Sequence, residues 1–223
     1  MTRKVFFLHT LSSLIPAFNE LSKELLPGDV EILHIADEML ARLVIAQGRL
    51  TPFIYRRVAE HVTAASEAGG VLIQATCSSI SPCIEAARAF VDIPVLKIDE
   101  PMAVKAVEMG KRIGIAATAI TTLMPTTELV KRVAADRGKE VEVSARLCEG
   151  AYDAMLHGKI ELHDEIILRT LRAQMAEVDV LLLAQASMAR VLEQLPVQER
   201  SIPILTSPRL AVAYLADLLA GNA

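Results

Sequence analysis

The chain has 223 residues, of which 52% are hydrophobic, and this is enough apolar material for one compact domain or two small ones. Its 23 basic and 27 acidic residues give a net charge of −4 without any lysine- or arginine-rich run, which excludes the basic surface that nucleic acid or an anionic membrane needs. No segment approaches the roughly 20 apolar residues of a membrane span, and the N-terminal apolar run is too short for a secretion signal, so we expect a cytoplasmic protein with no nucleic-acid and no membrane partner.

Eight short apolar runs alternate with longer segments of helical period, which is the pattern of an α/β fold with parallel sheets. Pro16, Pro82 and Pro125 are expected in the first turns of helices, because proline needs no backbone N–H there. The strands therefore lead into helix N-termini. The predicted strands begin near residues 4, 30, 70, 94, 112, 141, 180 and 202.

The second half of the sequence repeats the first at an offset close to 109 residues. Thr10 aligns with Thr118 and Glu38 with Glu149, and the segment "IPVL" aligns with "IPIL". Because the order and spacing of four blocks agree, the pattern indicates a tandem duplication of one βαβ-rich unit.

The duplication predicts two pseudo-symmetric lobes, each with a four-stranded parallel sheet flanked by helices. We expect residues 1–97 and 208–223 to form the first α/β lobe and residues 98–207 the second. Ligands of parallel α/β sheets bind at the carboxyl ends of the strands, so we expect an active site in the cleft between the lobes. A homo-oligomer is expected, since most oligomers of globular chains are assembled from identical subunits.

Small polar side chains follow most of the predicted strands. Hydroxyls and free N–H groups at helix N-termini bind carboxylates without requiring arginine. Helix capping is the alternative interpretation, although it explains the doubled serines and threonines less well. The predicted substrate-binding residues are Thr10, Ser12, Ser13, Thr76, Ser78, Ser79, Thr118, Thr121, Thr122 and Ser187.

The three cysteines are widely spaced and form no CxxC pair, so we expect free thiols and neither a disulfide framework nor a metal site. Cys77 directly follows a strand, where the N–H groups of the next helix would favour a thiolate. Cys83 lies inside an apolar helix and is expected to be a buried small hydrophobe. Cys148, beside Glu149, is either a packed residue or a second reactive thiol.

The histidines carry weaker signals. His157 and His163 lie away from the strand ends and are expected at the surface. His9 ends the first strand, where it either touches the site or is packed and hydrogen-bonded.

Three segments resemble motifs of the aspartate/glutamate/hydantoin racemase superfamily, which includes arylmalonate decarboxylase and maleate isomerase: "ATCSSIS", "VDVLLLAQASMARV" and "RLCEGAYDAM". The resemblance covers essentially the whole chain. It implies an isomerase that needs no cofactor or metal and acts on a small carboxylate or amino-acid-like substrate, with one cysteine from each lobe moving a proton at a substrate carbon. Cys77 matches the first cysteine, and Glu149 matches a glutamate near the second.

This sequence departs from the family pattern at the second cysteine. That position falls on Gln185 by the family motif or on Ala186 by the ungapped internal repeat, and neither residue is a thiol base. A single thiol still supports protonation after decarboxylation, addition to a double bond, or one-base chemistry assisted by Glu149 or by a water held by Gln185. The predicted catalytic residues are Cys77, Gln185 and Glu149, and the alternatives to an isomerase are a decarboxylase or lyase and a non-catalytic carboxylate-binding protein.

Overall fold

The protein is described by a computed structural model that covers residues 2–221. The chain forms two compact units. The first runs to Ile98 and takes up the chain again from Pro208, and the second comprises Asp99–Ser207. None of the helices in the described part of the chain has both the length and the apolar character that a membrane crossing requires.

The first unit contains a four-stranded parallel sheet. Its strands are β1 (Arg3–His9), β2 (Val30–Ala36), β3 (Gly70–Ala75) and β4 (Val95–Leu96), and they are arranged in the order β2–β1–β3–β4. The helices between them are α1 (Ile15–Leu25), α2 (Glu38–Gln47), α3 (Pro52–Glu67) and α4 (Ser81–Ala87).

The second unit repeats this arrangement and confirms the predicted fold class. Its helices are α5 (Glu100–Met109), α6 (Ile120–Asp136), α7 (Ala151–Leu156), α8 (Ile160–Met175) and α9 (Ala189–Leu192). Its strands are β5 (Arg112–Ala117), β6 (Glu142–Leu147), β7 (Val180–Leu183) and β8 (Ile204–Thr206), in the order β6–β5–β7–β8.

The last helix, α10 (Ser207–Ala220), leaves the second unit and packs with the first. The Arg209 guanidinium donates two hydrogen bonds to the Glu24 carboxylate, at 2.8 and 2.6 Å. Arg3 donates to the carbonyl oxygen of Leu219 at 2.7 Å. These contacts attach the C-terminal segment to the opening strand and first helix of the chain.

The central strands are buried along nearly their whole length. Every residue of β7 is buried, and in β1 the run from Val5 to His9 is buried without interruption. This continuous apolar pattern is typical of parallel strands that are covered by helices on both faces. The edge strands β2 and β6 are only partly buried. Polar side chains on the central strands are therefore accessible only where the strands end.

The prolines meet the expectation in the first unit and depart from it in the second. Pro16 and Pro82 lie in the first turns of α1 and α4, as predicted. Pro125 was expected to begin a helix but lies inside α6, which starts at Ile120. Because proline has no N–H, the carbonyl of Thr121 loses its regular helical partner at this point. The first unit instead inserts a short 3₁₀ turn before α1.

Gly70 provides a test of packing at the start of β3. A Cβ atom at this position would lie 2.8 Å from the carbonyl oxygen of Ala65 and 2.9 Å from Cδ2 of Phe6. We expect Gly70→Ala to lower the free energy of unfolding by about 1–3 kcal/mol, because a buried backbone atom must move. Gly28→Ala is the matched control, since its Cβ would meet nothing within 4 Å. Equal urea midpoints for the two variants would contradict the predicted close contact.

Candidate functional site

The carboxyl ends of β1, β2 and β3 place three turns at one edge of the first sheet. The N–H of Asp37, after β2, donates to the carbonyl of His9 at 2.9 Å. The N–H of Thr76, after β3, donates to the carbonyl of Leu8 at 3.0 Å. The predicted residues Thr10 and Thr76 therefore begin neighbouring turns.

Cys77 is the second residue after β3. Its backbone is extended, with φ −137° and ψ 119°, and it caps a 3₁₀ turn, Ser78–Ile80, that leads into α4. The side chain is half-buried, and its thiol has no hydrogen-bond partner among residues 2–221. Ser78 is buried and Ser79 is half-buried in the same turn. The position of Cys77 just beyond a strand is the one expected from the sequence.

The other two thiols are core groups. Cys83 is 0% exposed, and burial raises the pKa of its thiol to about 12, which confirms the expected small hydrophobe. Cys148 is also 0% exposed. Burial raises the pKa of Cys148, and a hydrogen bond with Thr170 only partly opposes this. Of the two roles considered for Cys148, the structure supports the packed one.

Gln185, rather than Ala186, occupies the position equivalent to Cys77. Gln185 is the second residue after β7, and its backbone is extended, with φ −118° and ψ 133°. It caps the 3₁₀ turn Ala186–Met188 just as Cys77 caps the turn after β3. The strand ends thus resolve an alternative that the sequence repeat left open.

The orientation of the Gln185 amide is determined by Thr118. The Oε1 atom accepts from the Thr118 backbone N–H at 2.6 Å and from its hydroxyl at 3.0 Å. A backbone N–H can only donate, so the atom that faces it must be the amide oxygen. The Nε2 group then points away from Thr118 and has no hydrogen-bond partner within the described chain. Gln185 therefore presents two N–H donors and no base.

The start of α6 supplies further polar groups at the same edge of the second sheet. Thr118 is buried at 6% exposure and directly follows β5. Thr121 Oγ1 is buried without a hydrogen-bond partner, whereas Thr122 is a buried residue with its own interactions. Ser187, in the turn after Gln185, is half-buried.

Glu149 and Glu38 occupy equivalent positions, as the internal repeat predicted. Each is the second residue after an edge strand, β6 or β2, and each is exposed. The N–H of Cys148, the residue before Glu149, donates to the carbonyl of Ala117 at 2.7 Å. Glu149 therefore lies at the strand-end edge that also carries Thr118.

The Ser12 turn already holds a carboxylate from the chain itself. Glu38 Oε1 accepts from the Ser12 hydroxyl at 2.5 Å and from its N–H at 3.3 Å. These bonds lower the pKa of Glu38. Ser13 is exposed beside them. An external anion at Ser12 would have to displace Glu38, a competition that sequence reasoning did not reveal.

A chain of hydrogen bonds runs from the residue before Cys77 into the first unit, buried at Thr76 and His9 and half-buried at His34 and Asn19. Thr76 Oγ1 lies 3.0 Å from His9 Nδ1, His9 Nε2 lies 2.9 Å from His34 Nδ1, and His34 Nε2 lies 2.9 Å from Asn19 Oδ1. His9 is 0% exposed. Burial, followed by the neighbouring His34, lowers the pKa of His9 to about 4, so it is neutral at physiological pH. The sequence left the environment of His9 open, because its partners lie on other elements.

The prediction for His163 was wrong, whereas His157 is exposed as expected. His163 is 3% exposed and lies 2.7 Å from Asp164 Oδ1. Arg190 donates to both oxygens of Asp164, at 2.7 and 2.6 Å, and Gln194 donates at 2.6 Å. Burial alone would raise the pKa of Asp164, but these hydrogen bonds lower it to about 2. The cluster links α8 to the short helix that follows the Gln185 turn.

Within residues 2–221, no three His, Cys, Asp or Glu side chains are grouped closely enough to hold a metal ion.

His9 predicts acid sensitivity. Between its unfolded pKa of 6.5 and its folded pKa of about 4, the unfolded chain binds a proton that the folded chain does not. The free energy of unfolding should therefore fall by about 3 kcal/mol in total as the pH decreases through this window, and it should level off at lower pH. Urea unfolding at several pH values would measure the slope. His9→Gln should reduce the slope, leaving the contribution of His34, whose pKa is also lowered by burial, and His157→Gln should not reduce it. An unchanged slope in His9→Gln would contradict the assignment.

Comparison with known proteins finds solved structures with the same fold. The Francisella tularensis glutamate racemase, solved in complex with D-glutamate, superposes with a TM-score of 0.73 at 15% identity over 99% of this chain and 82% of that chain. The Picrophilus torridus aspartate racemase gives 0.71 at 15% identity, over 98% and 94%. The Klebsiella pneumoniae allantoin racemase gives 0.65 at 17% identity, over 98% and 88%.

At these identities the structures are evidence for a common fold. No curated protein matches the sequence. The family model described as Asp/Glu/Hydantoin racemase, however, matches residues 13–215, which is most of the chain. The protein therefore belongs to the Asp/Glu/hydantoin racemase family.

Proposed function

We propose that the protein is a cofactor-independent, isomerase-type enzyme that acts on a small carboxylate or amino-acid-like substrate through a single thiol, Cys77. The observation that carries the proposal is the equivalence of Cys77 and Gln185. Each caps the 3₁₀ turn after the third strand of its sheet, yet one presents a thiol and the other presents amide N–H donors. The two halves of the duplicated scaffold thus carry different chemistry.

Cys77 is suited to proton transfer because its thiol is partly accessible and has no partner within the described residues. As a thiolate it would take a proton from the carbon next to a carboxylate, and the electron pair would move into the carboxylate as an enediolate. Return of the proton from the thiol restores the carbon–hydrogen bond. The Cys77 side chain both takes up the proton and returns it, so the step needs no other proton carrier.

Gln185 is suited to bind the negative charge that develops in this step. Its oxygen is held by Thr118, so its N–H groups need no rearrangement to donate to a substrate oxygen. Preorganised donors of this kind supply a large part of the stabilisation of enolate-like intermediates. The proposed substrate-binding set also includes the hydroxyl turns at Ser12, Ser78 and Thr121.

Two-thiol racemisation requires an acid and a base on opposite faces of the substrate carbon. Gln185 provides neither, so the expected activity is exchange of the carbon-bound proton from one face only. Inversion would require a second group, for which the exposed carboxylate of Glu149 is our candidate.

A decarboxylase or lyase of the same family is the second candidate function. It is favoured by the same one-sided arrangement, since loss of carbon dioxide leaves an enediolate that a single thiol can protonate stereospecifically. A carboxylate-binding protein without turnover is the third. The proposal also includes a homo-oligomeric assembly, which rests on the general preference of globular chains.

Replacing Cys77 tests the proposal directly. The protein would be incubated in deuterium oxide with aspartate, glutamate, hydantoins and substituted malonates, and carbon-bound deuterium measured by NMR. We expect stereospecific labelling of one compound class by the wild type and at least about a hundred-fold loss in Cys77→Ala, because the proton carrier is removed. Cys83→Ala, which deletes a buried thiol, is the control and should retain activity.

The outcomes separate the candidate functions. Carbon dioxide release with deuterium incorporation would identify a decarboxylase. Binding of a carboxylate without labelling would identify the non-catalytic alternative. Wild-type labelling rates in Cys77→Ala would contradict the thiol mechanism whatever the reaction.

Gln185→Glu tests the role of the amide donors. A carboxylate oxygen can accept from Thr118 as the amide does, so the turn should be retained while the N–H donors are replaced by negative charge. We expect affinity for the labelled compound to fall at least about ten-fold through loss of donors and like-charge repulsion. Gln198→Glu, which makes the same change at an exposed glutamine, is the control and should bind normally. Unchanged affinity in Gln185→Glu would show that the amide does not contact the substrate.

A further inference from the structure

The two equivalent turns share a backbone anchor, from Thr76 N–H to the Leu8 carbonyl at 3.0 Å and from Ala184 N–H to the Ala116 carbonyl at 2.9 Å, but their side-chain anchors differ. In the second unit, the capping residue Gln185 bonds directly to Thr118, the residue after β5. In the first unit, the equivalent capping residue is Cys77, and its thiol makes no such bond among the described residues. The anchor there lies one residue earlier, at Thr76.

Thr76 is held by two hydrogen bonds, one from its backbone N–H and one from its hydroxyl, which has a single proton to donate. Its N–H donates to the Leu8 carbonyl at 3.0 Å, and its hydroxyl lies 3.2 Å from the same oxygen and 3.0 Å from His9 Nδ1. The residue is 1% exposed, so these contacts are not shared with bulk water. The position of the following residue, Cys77, depends on this attachment.

The protons of the hydrogen-bonded chain follow from its partners. Asn19 Oδ1 accepts from His34 Nε2, which leaves His34 Nδ1 as an acceptor. His9 Nε2–H donates to that nitrogen, so His9 Nδ1 accepts the single proton of the Thr76 hydroxyl, which lies closer to it, at 3.0 Å, than to the Leu8 oxygen, at 3.2 Å. Both imidazoles are neutral in this arrangement, and each nitrogen has a partner. The rings of Phe7 and Phe18 lie 6.0 and 5.6 Å from the His9 ring and shield it.

We propose that Thr76, His9 and His34 are positioning residues that hold the Cys77 turn from behind and so leave the thiol free of intramolecular hydrogen bonds. This inference rests on the proposed role of Cys77. If the side chain of a reactive cysteine anchored its own turn, as the side chain of Gln185 does, the thiol would be engaged in a hydrogen bond. The neighbouring threonine and a neutral histidine pair perform that task in the first unit, whereas Gln185 performs it for itself in the second.

Thr76→Val is the principal test, because valine keeps the shape of threonine but removes the hydroxyl. In the wild type, ¹⁵N NMR of the histidine rings should show His9 protonated at Nε2, with Nδ1 accepting a hydrogen bond. In Thr76→Val, the Nδ1 resonance should move towards that of an unbonded nitrogen. Amide hydrogen exchange over residues 77–80 should accelerate about ten-fold, as loss of one buried hydrogen bond predicts.

Thr76→Ser is the matched control. It keeps the hydroxyl and should restore the wild-type His9 signal and exchange within about two-fold. An unaltered His9 resonance in Thr76→Val would overturn the proposal. Equal acceleration at Ile73, inside β3, would also overturn it, because the effect would then be general destabilisation.

His34 tests whether the chain beyond His9 contributes. Leucine at this position removes the acceptor for His9 Nε2–H, whereas glutamine can replace it through its side-chain oxygen. We expect faster exchange over residues 77–80 in His34→Leu and recovery in His34→Gln. If amide exchange in His34→Leu equals that of the wild type, His34 does not help to position the Cys77 turn.

These measurements need no substrate. If Cys77→Ala retains turnover while Thr76→Val shows the expected NMR changes, the proposed function fails and the anchoring stands. If Cys77→Ala loses turnover while Thr76→Val shows no NMR change, the proposed function stands and the anchoring is rejected.

Discussion

Burial of both faces of the central parallel strands is the constraint on which the chemistry of each unit depends. Strands β1, β3, β5 and β7 are packed under helices, so a polar side chain within them has no route to a ligand. Functional groups must then follow the carboxyl ends, where the chain turns and the N–H groups of the next helix are free. The hydroxyls, the thiol at Cys77 and the amide at Gln185 all occupy such turns.

The same turn geometry has been used for two chemistries. At Gln185, the side chain bonds backwards to Thr118 through its oxygen and directs its donors outwards. At Cys77, the hydrogen bonds are made by the preceding Thr76 and the thiol remains unpaired. The two units have the same strand order, so the backbones of the two turns correspond. The side chains at the strand ends differ between the units.

Two buried carboxylates, Asp37 and Asp164, are paired with side chains that lie at least 20 residues away in the sequence. Asp164 is held by Arg190 and Gln194, and Asp37 lies against Arg57 and His61, with His61 Nε2 2.8 Å from its carboxylate. Burial alone would raise the pKa of Asp37, but these partners lower it, so the carboxylate stays charged. Removing one partner would leave a buried charge uncompensated, which usually costs several kcal/mol.

The sequence by itself determined the elements that local pattern and repetition encode: eight strands, two equivalent four-stranded sheets, the helix-starting prolines Pro16 and Pro82, and the position of Cys77 just beyond a strand. The roles of the proposed catalytic and substrate-binding residues remain predictions. The sequence did not decide between Gln185 and Ala186, because the register of a repeat is visible only where both strands end. It placed Pro125 at a helix start and His163 at the surface, since neither the extra helical turn of α6 nor the Asp164 cluster has a local signature. The orientation of Gln185 and the His9 chain were decided only by the tertiary structure, because a hydrogen bond between residues far apart in sequence exists only after the strands that carry them are packed side by side.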